Sequence, residues 1–335
     1  RMKISASIYS DKVRPLAEVI DDLKDHQVDL LHVDCNDDLS VFDDIKAIRT
    51  MCDLPIDLHI ITPTPSKYYQ LLAENPVEYV TFQYEDLKEP LNIPASVTGR
   101  KGIAVITPTP VTIFKEYSNY DFILIMATIP GQSGGKFDIV NFSKIREFRN
   151  AYPDKSIHVD GGVNPEVSFI IRNMGVTSAV SGSYLFNAAS VGNALMNLTK
   201  RSIESTYTVS DFMIPLNESP VVKMSELTLE SVLKSIEKGR LGFTLVVDNE
   251  GQSKGLISNA DIRKGLLSNL KDINKLQANQ LVNSNPTTIS DCSTVIEMLQ
   301  LIKHSNFPIT YLPVVSKDGF AKGIVTFVNL IKGEL

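Results

Sequence analysis

Four side chains of this sequence could meet around a cation: His32 and Asp34 in the run LLHVD, His59 in IDLHII, and Asp160 in SIHVD. Each run is short, apolar and β-branched, as a buried strand is. Residues i and i+2 of a strand point to the same side, so His32 and Asp34 project together. Two imidazoles and two carboxylates make a mixed nitrogen and oxygen set suited to Zn²⁺, Mn²⁺, Fe²⁺ or Co²⁺. An HxD tripeptide alone is also common among unrelated polar residues at a strand end. Four candidate ligands of suitable type at the ends of three strands argue for a site.

A second kind of chemistry is suggested by glycine. Gly131, Gly134 and Gly135 follow the strand-like run 122–126, Gly161 and Gly162 follow Asp160, and Gly182-Ser183 closes the run 177–182. Glycine lets backbone N–H groups approach an anion closely, so three such turns in succession suit a phosphate group.

These residues need a scaffold that gathers strand ends. Strands are expected at 3–9, 30–34, 56–61, 79–84, 101–106, 122–126, 156–160 and 177–182, with helical patterns between them, clearest at 11–25, 65–74, 137–151 and 165–174. Eight strands alternating with helices within about 200 residues predict an α/β fold, a (β/α)8 TIM barrel whose chemistry lies at the C-terminal strand ends. The competing architecture, a doubly wound open sheet, accounts less well for polar residues at so many of those ends. Pro90 and Pro94 weaken the crossover at 86–98.

Beyond residue 204 the pattern changes and repeats. GLISNAD at 255–261 returns as GIVTFVN at 323–329, and FTLVVDNEGQSKG at 243–255 is echoed by TYLPVVSKDGFAKG at 310–323. Each copy reads as a hairpin preceded by a helical run, at 225–238 and 292–304. Two copies of such a unit bury their faces against each other. The expectation is a barrel at 1–204 and a tandem α+β pair at 205–335, divided near 270.

Composition limits the partners. The 335 residues carry 33 basic and 39 acidic side chains, a net charge of −6, which offers no basic field for nucleic acid. No apolar run approaches the ~18 residues of a membrane span. Three cysteines without a CxxC spacing point away from a disulfide framework and toward a reducing, cytoplasmic setting. The start of the sequence shows no signal-peptide pattern.

Residues 1–200 resemble the ribulose-phosphate 3-epimerase family, through SASIY (5–9), DLLHVDCND (29–37), LPIDLHI (54–60), VITPTP (105–110), ILIMATIPGQSGGKF (123–137), IHVDGGVNP (157–165) and SGSYLF (181–186). The resemblance implies that His32, Asp34, His59 and Asp160 bind one divalent ion and that Asp34 and Asp160 are the paired acid and base. It implies epimerisation at C3 of a small ketose phosphate through an enediolate, with Asp34 as base in the D-ribulose direction. It also implies substrate contacts from Ser7 and Met126, although an inward serine or methionine is often simply packed. The sequence departs from the family in three places. The segment Cys35 to Ser40 is short, Asn36 and Ile61 stand where methionines are expected, and PGQSGGKF replaces PGFGGQKF. Those changes put the sugar in doubt more than the reaction.

Barrels that use an enediolate for decarboxylation or aldol chemistry normally need a lysine near the strand-two and strand-three acids, and HVDCND and DLHII contain none. The C-terminal repeat resembles a tandem of cystathionine-β-synthase-type (CBS) domains. That resemblance implies an adenine or other nucleotide as effector, contacted by Ser258, Asp261 and Thr326, with Asn329 replacing the second aspartate. It equally suits a dimerisation platform and a homo-oligomer. A barrel without activity, serving a nucleotide-sensing interaction protein, is the alternative reading.

Overall fold

The structure is a computed structural model that describes residues 1–128, 135–199 and 207–327. The chain forms two compact units that part between residues 199 and 207.

In the first unit eight strands close a barrel in chain order, every one parallel to its neighbours: β1 (Lys3–Ser7), β2 (Leu30–Asn36), β3 (Ile56–Ile61), β4 (Tyr79–Gln83), β5 (Arg100–Val105), β6 (Phe122–Met126), β7 (Ser156–Asp160) and β8 (Ser178–Ser181). Register aligns Ser7 with His32, Asp34 with His59, and His59 with Thr81. Partners in adjacent parallel strands share a face, so these polar side chains line the barrel interior. The alternating residues Val33, Leu58, Ile60 and Phe82 are buried on the opposite face.

The helices are α1 (Leu16–Asp25), α2 (Val41–Met51), α3 (Tyr69–Glu74), α4 (Val140–Ala151), α5 (Pro165–Asn173), α6 (Ser183–Asn187) and α7 (Val191–Thr199). Amphipathic spacing explains them: α1 buries Val19, Ile20 and Leu23, and α2 buries Val41, Phe42, Ile45 and Ile48. Helix α1 starts later than its sequence pattern. The Asp11 carboxylate first ties the amides of Val13 and Arg14 into a turn, and the helix then begins directly after Pro15. Only a 3-10 turn at Tyr84–Asp86 follows β4 before the proline-broken crossover, and a 3-10 run at Val111–Tyr117 joins β5 to β6.

The second unit contains two copies of one motif. In the first copy β10 (Val221–Lys223) runs parallel to β11 (Phe243–Val247), which is antiparallel to β12 (Ser253–Ser258), with α9 (Leu229–Gly239) and α10 (Asn259–Ser268). In the second, β13 (Ile289–Ser290), β14 (Tyr311–Val315) and β15 (Ala321–Thr326) repeat the pattern with α11 (Val295–Lys303). The entry segment adds α8 (Val209–Phe212) and β9 (Ile214–Pro215), which pairs with β15. Both hairpins shift register at equivalent places, Val246/Val247 and Val314/Val315. Both also need glycine where a foreign backbone closes in. A Cβ at Gly255 would lie 1.9 Å from the Asn283 carbonyl oxygen, and one at Gly323 would lie 2.0 Å from that of Ile214. Phe243 and Tyr311 stack at 3.8 Å between the copies, beside buried Leu245, Leu256 and Ile324. This is a (β/α)8 barrel followed by a CBS-type pair. No described helix is long and apolar enough to cross a membrane.

Candidate metal and acid–base site

Strand β2 delivers His32 and Asp34, β3 delivers His59, and β7 delivers Asp160. One ligand atom each from His32, Asp34 and His59 lie within 4.8 Å of one another. Asp160 stands at the edge of this trio, its Oδ2 3.8 Å from His32 Nε2. Asp34 Oδ1 lies 3.0 Å from His32 Nε2 and 3.3 Å from His59 Nδ1.

The far nitrogen of each imidazole is held from behind. His32 Nδ1 is 2.9 Å from Asp57 Oδ2, which also accepts from Ser5 Oγ at 2.8 Å, and His59 Nε2 is 2.7 Å from Gln83 Oε1. Such partners orient a ligating ring. Among the described residues His59 Nδ1 has no hydrogen-bond partner, and it is buried 3.3 Å from Asp34 Oδ1. A bare buried nitrogen beside a carboxylate and a second imidazole fits a divalent cation of the zinc, manganese, iron or cobalt type.

The two carboxylates sit in unlike fields. Burial pushes Asp34 upward, but His32 and His59 outweigh it and hold its carboxyl well below the usual range. Burial lifts Asp160 above the usual value, and the charge of Asp34 adds to this against the pull of the histidines. His32 is opposed by burial yet held well above its ordinary pKa by Asp34 and Asp57. Deeper in the barrel, burial lowers His158 to about 4, and its neutral ring stacks on Phe122 at 4.0 Å.

Asp34 and Asp160 line one cavity of about 800 Å³, which continues past Gly161, Gly162, Gly182 and Ser183. Gly161 (φ +102°) and Gly162 (φ +66°) are left-handed and crowded: a Cβ would lie 2.5 Å from Thr128 Cγ2 and 2.3 Å from Phe137 N, respectively. Ser7 is on the cavity wall and its Oγ accepts from Ser10 Oγ at 2.9 Å. Met126 ends β6 in register with Asp160 but does not line the cavity. Gly131 and Gly134 lie outside the described residues. Ser10, Lys12 and Lys136 line the cavity and were not singled out from the sequence. Asp57 and Gln83 were also missed, although Asp57 precedes His59 by two residues and so shares its face.

The short β2–α2 turn is held by Asp37, at φ +53°. Its Oδ1 accepts from Thr62 Oγ1 at 2.6 Å and Tyr68 OH at 3.1 Å, and pairs with Lys67 at 2.6 Å. Asn36 is exposed at the end of β2.

In the second unit Ser258 and Asp261 form a reciprocal cap on α10: the Asp261 carboxylate accepts from Ser258 N at 2.9 Å and Ser258 Oγ at 2.8 Å. Thr326 is the last residue of β15.

With this geometry in place, comparison with known proteins gives two matches to family models. Residues 3–186 match the ribulose-phosphate 3 epimerase family and residues 278–334 match the CBS domain. A ribulose-phosphate 3-epimerase of Methanocaldococcus jannaschii is 31% identical over 219 residues, 61% of this chain and 92% of that protein. One from Bacillus subtilis is 25% identical over 212 residues, 59% of this chain and 98% of that protein. Among solved structures, CBSX2 in complex with AMP is 26% identical across 38% of this chain and 96% of its own, with a TM-score of 0.32.

Proposed function

Because residues 3–186 make this chain a member of the ribulose-phosphate 3-epimerase family, we propose that it inverts C3 of a ketose phosphate, D-ribulose 5-phosphate or a close relative. One observation carries the reading: Asp34 and Asp160, from β2 and β7, face a single cavity that ends in glycine turns.

Inversion at a carbon next to a carbonyl needs a base on one face and an acid on the other. Asp34 takes the C3 proton, and the electron pair of that C–H bond becomes the C2–C3 double bond of an enediolate. Asp160 then returns a proton to C3 from the opposite side. His32, Asp34, His59 and Asp160 would hold a divalent ion, which would supply Lewis acidity toward the substrate oxygens. Asp57 and Gln83 keep the two imidazoles aimed at that position. Backbone amides at Gly161, Gly162, Gly182 and Ser183 take the phosphate, and the Ser7 hydroxyl contacts the sugar. The CBS pair binds a nucleotide that adjusts the rate, with Ser258, Asp261 and Thr326 at its contacts.

The test is to offer pentulose and hexulose phosphates with Mn²⁺, Zn²⁺, Fe²⁺ or Co²⁺, with and without chelator, and to add adenine nucleotides to the active combination. C3 epimer formed only with metal supports the reading. No product from any ketose phosphate with any of the four ions rejects it.

A further inference from the structure

Gln83 closes β4, and its amide is boxed in by groups that fix which end points where. Its Nε2 lies 2.6 Å from Glu85 Oε1 and 3.4 Å from the Ala104 carbonyl oxygen. Both are acceptors, so the amide nitrogen must face them, and the oxygen must face His59 Nε2 at 2.7 Å. Glu85 is itself pinned, because its carboxylate accepts from the Ile106 amide at 3.2 Å. An amide oxygen can only accept. His59 must therefore carry hydrogen on Nε2; in the neutral ring this leaves Nδ1 bare, 3.3 Å from Asp34 Oδ1 and with no hydrogen-bond partner among the described residues.

We propose that Gln83 and Glu85 act together as positioning residues that hold His59 in the Nε2–H form, so that Nδ1 is kept free for the metal. Without them, Asp34 Oδ1 is the acceptor facing the ring, and hydrogen on Nδ1 would satisfy it. A proton there competes with a cation for the same lone pair. The inference rests on the metal reading above, but the ring's protonation can be observed in the metal-free protein.

The experiment uses the full chain and two readouts: Mn²⁺ and Zn²⁺ affinity by calorimetry, and the ring-nitrogen shifts of His59 by ¹⁵N NMR at mildly alkaline pH without metal. Wild type shows hydrogen on Nε2. Gln83→Met moves it to Nδ1 and weakens metal binding about 10- to 100-fold. The paired exchange Gln83→Glu with Glu85→Gln keeps the net charge and reverses the donor between them, while both still suit Nε2–H. It restores tautomer and affinity, and it decides the matter should Gln83→Met fail to fold. His59 keeping Nε2–H in Gln83→Met, with unchanged metal affinity, overturns the proposal, as does a folded paired exchange that restores neither readout. A wild type that binds no ion overturns the metal reading on which this rests, and the NMR arm then decides separately whether Gln83 and Glu85 set the His59 tautomer.

Discussion

His32 Nδ1 lies 2.9 Å from Asp57 Oδ2 inside the barrel, and both side chains are almost wholly buried. The contact ties the ring of a candidate ligand to strand β3 and turns Nε2, 3.0 Å from Asp34 Oδ1, toward the mouth. Replacing the carboxylate removes a charge and loosens the ring without touching the cation position. Asp57→Asn is expected to lower Mn²⁺ or Zn²⁺ affinity about 10- to 100-fold, read by titration calorimetry. Unchanged affinity would show that His32 is held by other means.

Lys12 and Lys136 stand on the wall of the same cavity, one after β1 and the other after β6. Both are exposed, so their attraction to a phosphate is screened by salt. Lys12→Ala and Lys136→Ala should each raise KM for a phosphorylated substrate by up to about tenfold and leave kcat alone, the pattern of lost uniform binding. The effect should shrink at high ionic strength. A fall in kcat with KM unchanged would place these lysines in the chemistry instead.

Gly162 is held at φ +66° with Phe137 N only 2.3 Å from where a Cβ would stand. Gly162→Ala must move that backbone and strain its own. The expected loss is at least about 1 kcal/mol of stability, seen as a lower Tm. Weaker inorganic phosphate binding should accompany it. A variant as stable as wild type would contradict the crowding.

Lys144, on α4, donates from Nζ to the carbonyl oxygens of Ile106 and Thr107 at 2.9 and 3.0 Å. Burial lowers its pKa from 10.5 to about 8. Between those two values the unfolded chain keeps a proton that the folded chain has released, so this residue makes stability rise with pH. Lys144→Met loses that rise. Denaturant unfolding at several pH values should show wild type pulling further ahead of the variant from pH 8 toward 10.5, the window set by that shift. A gap that narrows there would contradict the assignment.

The barrel could be read from the sequence because each strand is a compact apolar run, and a buried parallel strand needs little else. Four candidate ligands were visible because strand ends expose alternate residues, so HxD already places two on one face. What sequence did not reveal depends on register between strands. Gln83 supports His59 only because β4 packs beside β3, and Glu85 supports Gln83 only because the chain turns immediately into a 3-10 helix. The two-residue strand β9 has no pattern of its own and is defined by its pairing with β15. Lys12 looked like an ordinary helix-start residue because nothing in SDKVRP showed that α1 would be delayed to Leu16.

The most direct measurement is deuterium wash-in at C3 of D-ribulose 5-phosphate in D₂O with Mn²⁺, comparing wild type, Asp34→Asn and Asp160→Asn. The account predicts exchange and inversion in wild type that chelator abolishes, neither in Asp34→Asn, and exchange without inversion in Asp160→Asn. Inversion at the wild-type rate in either variant would contradict it.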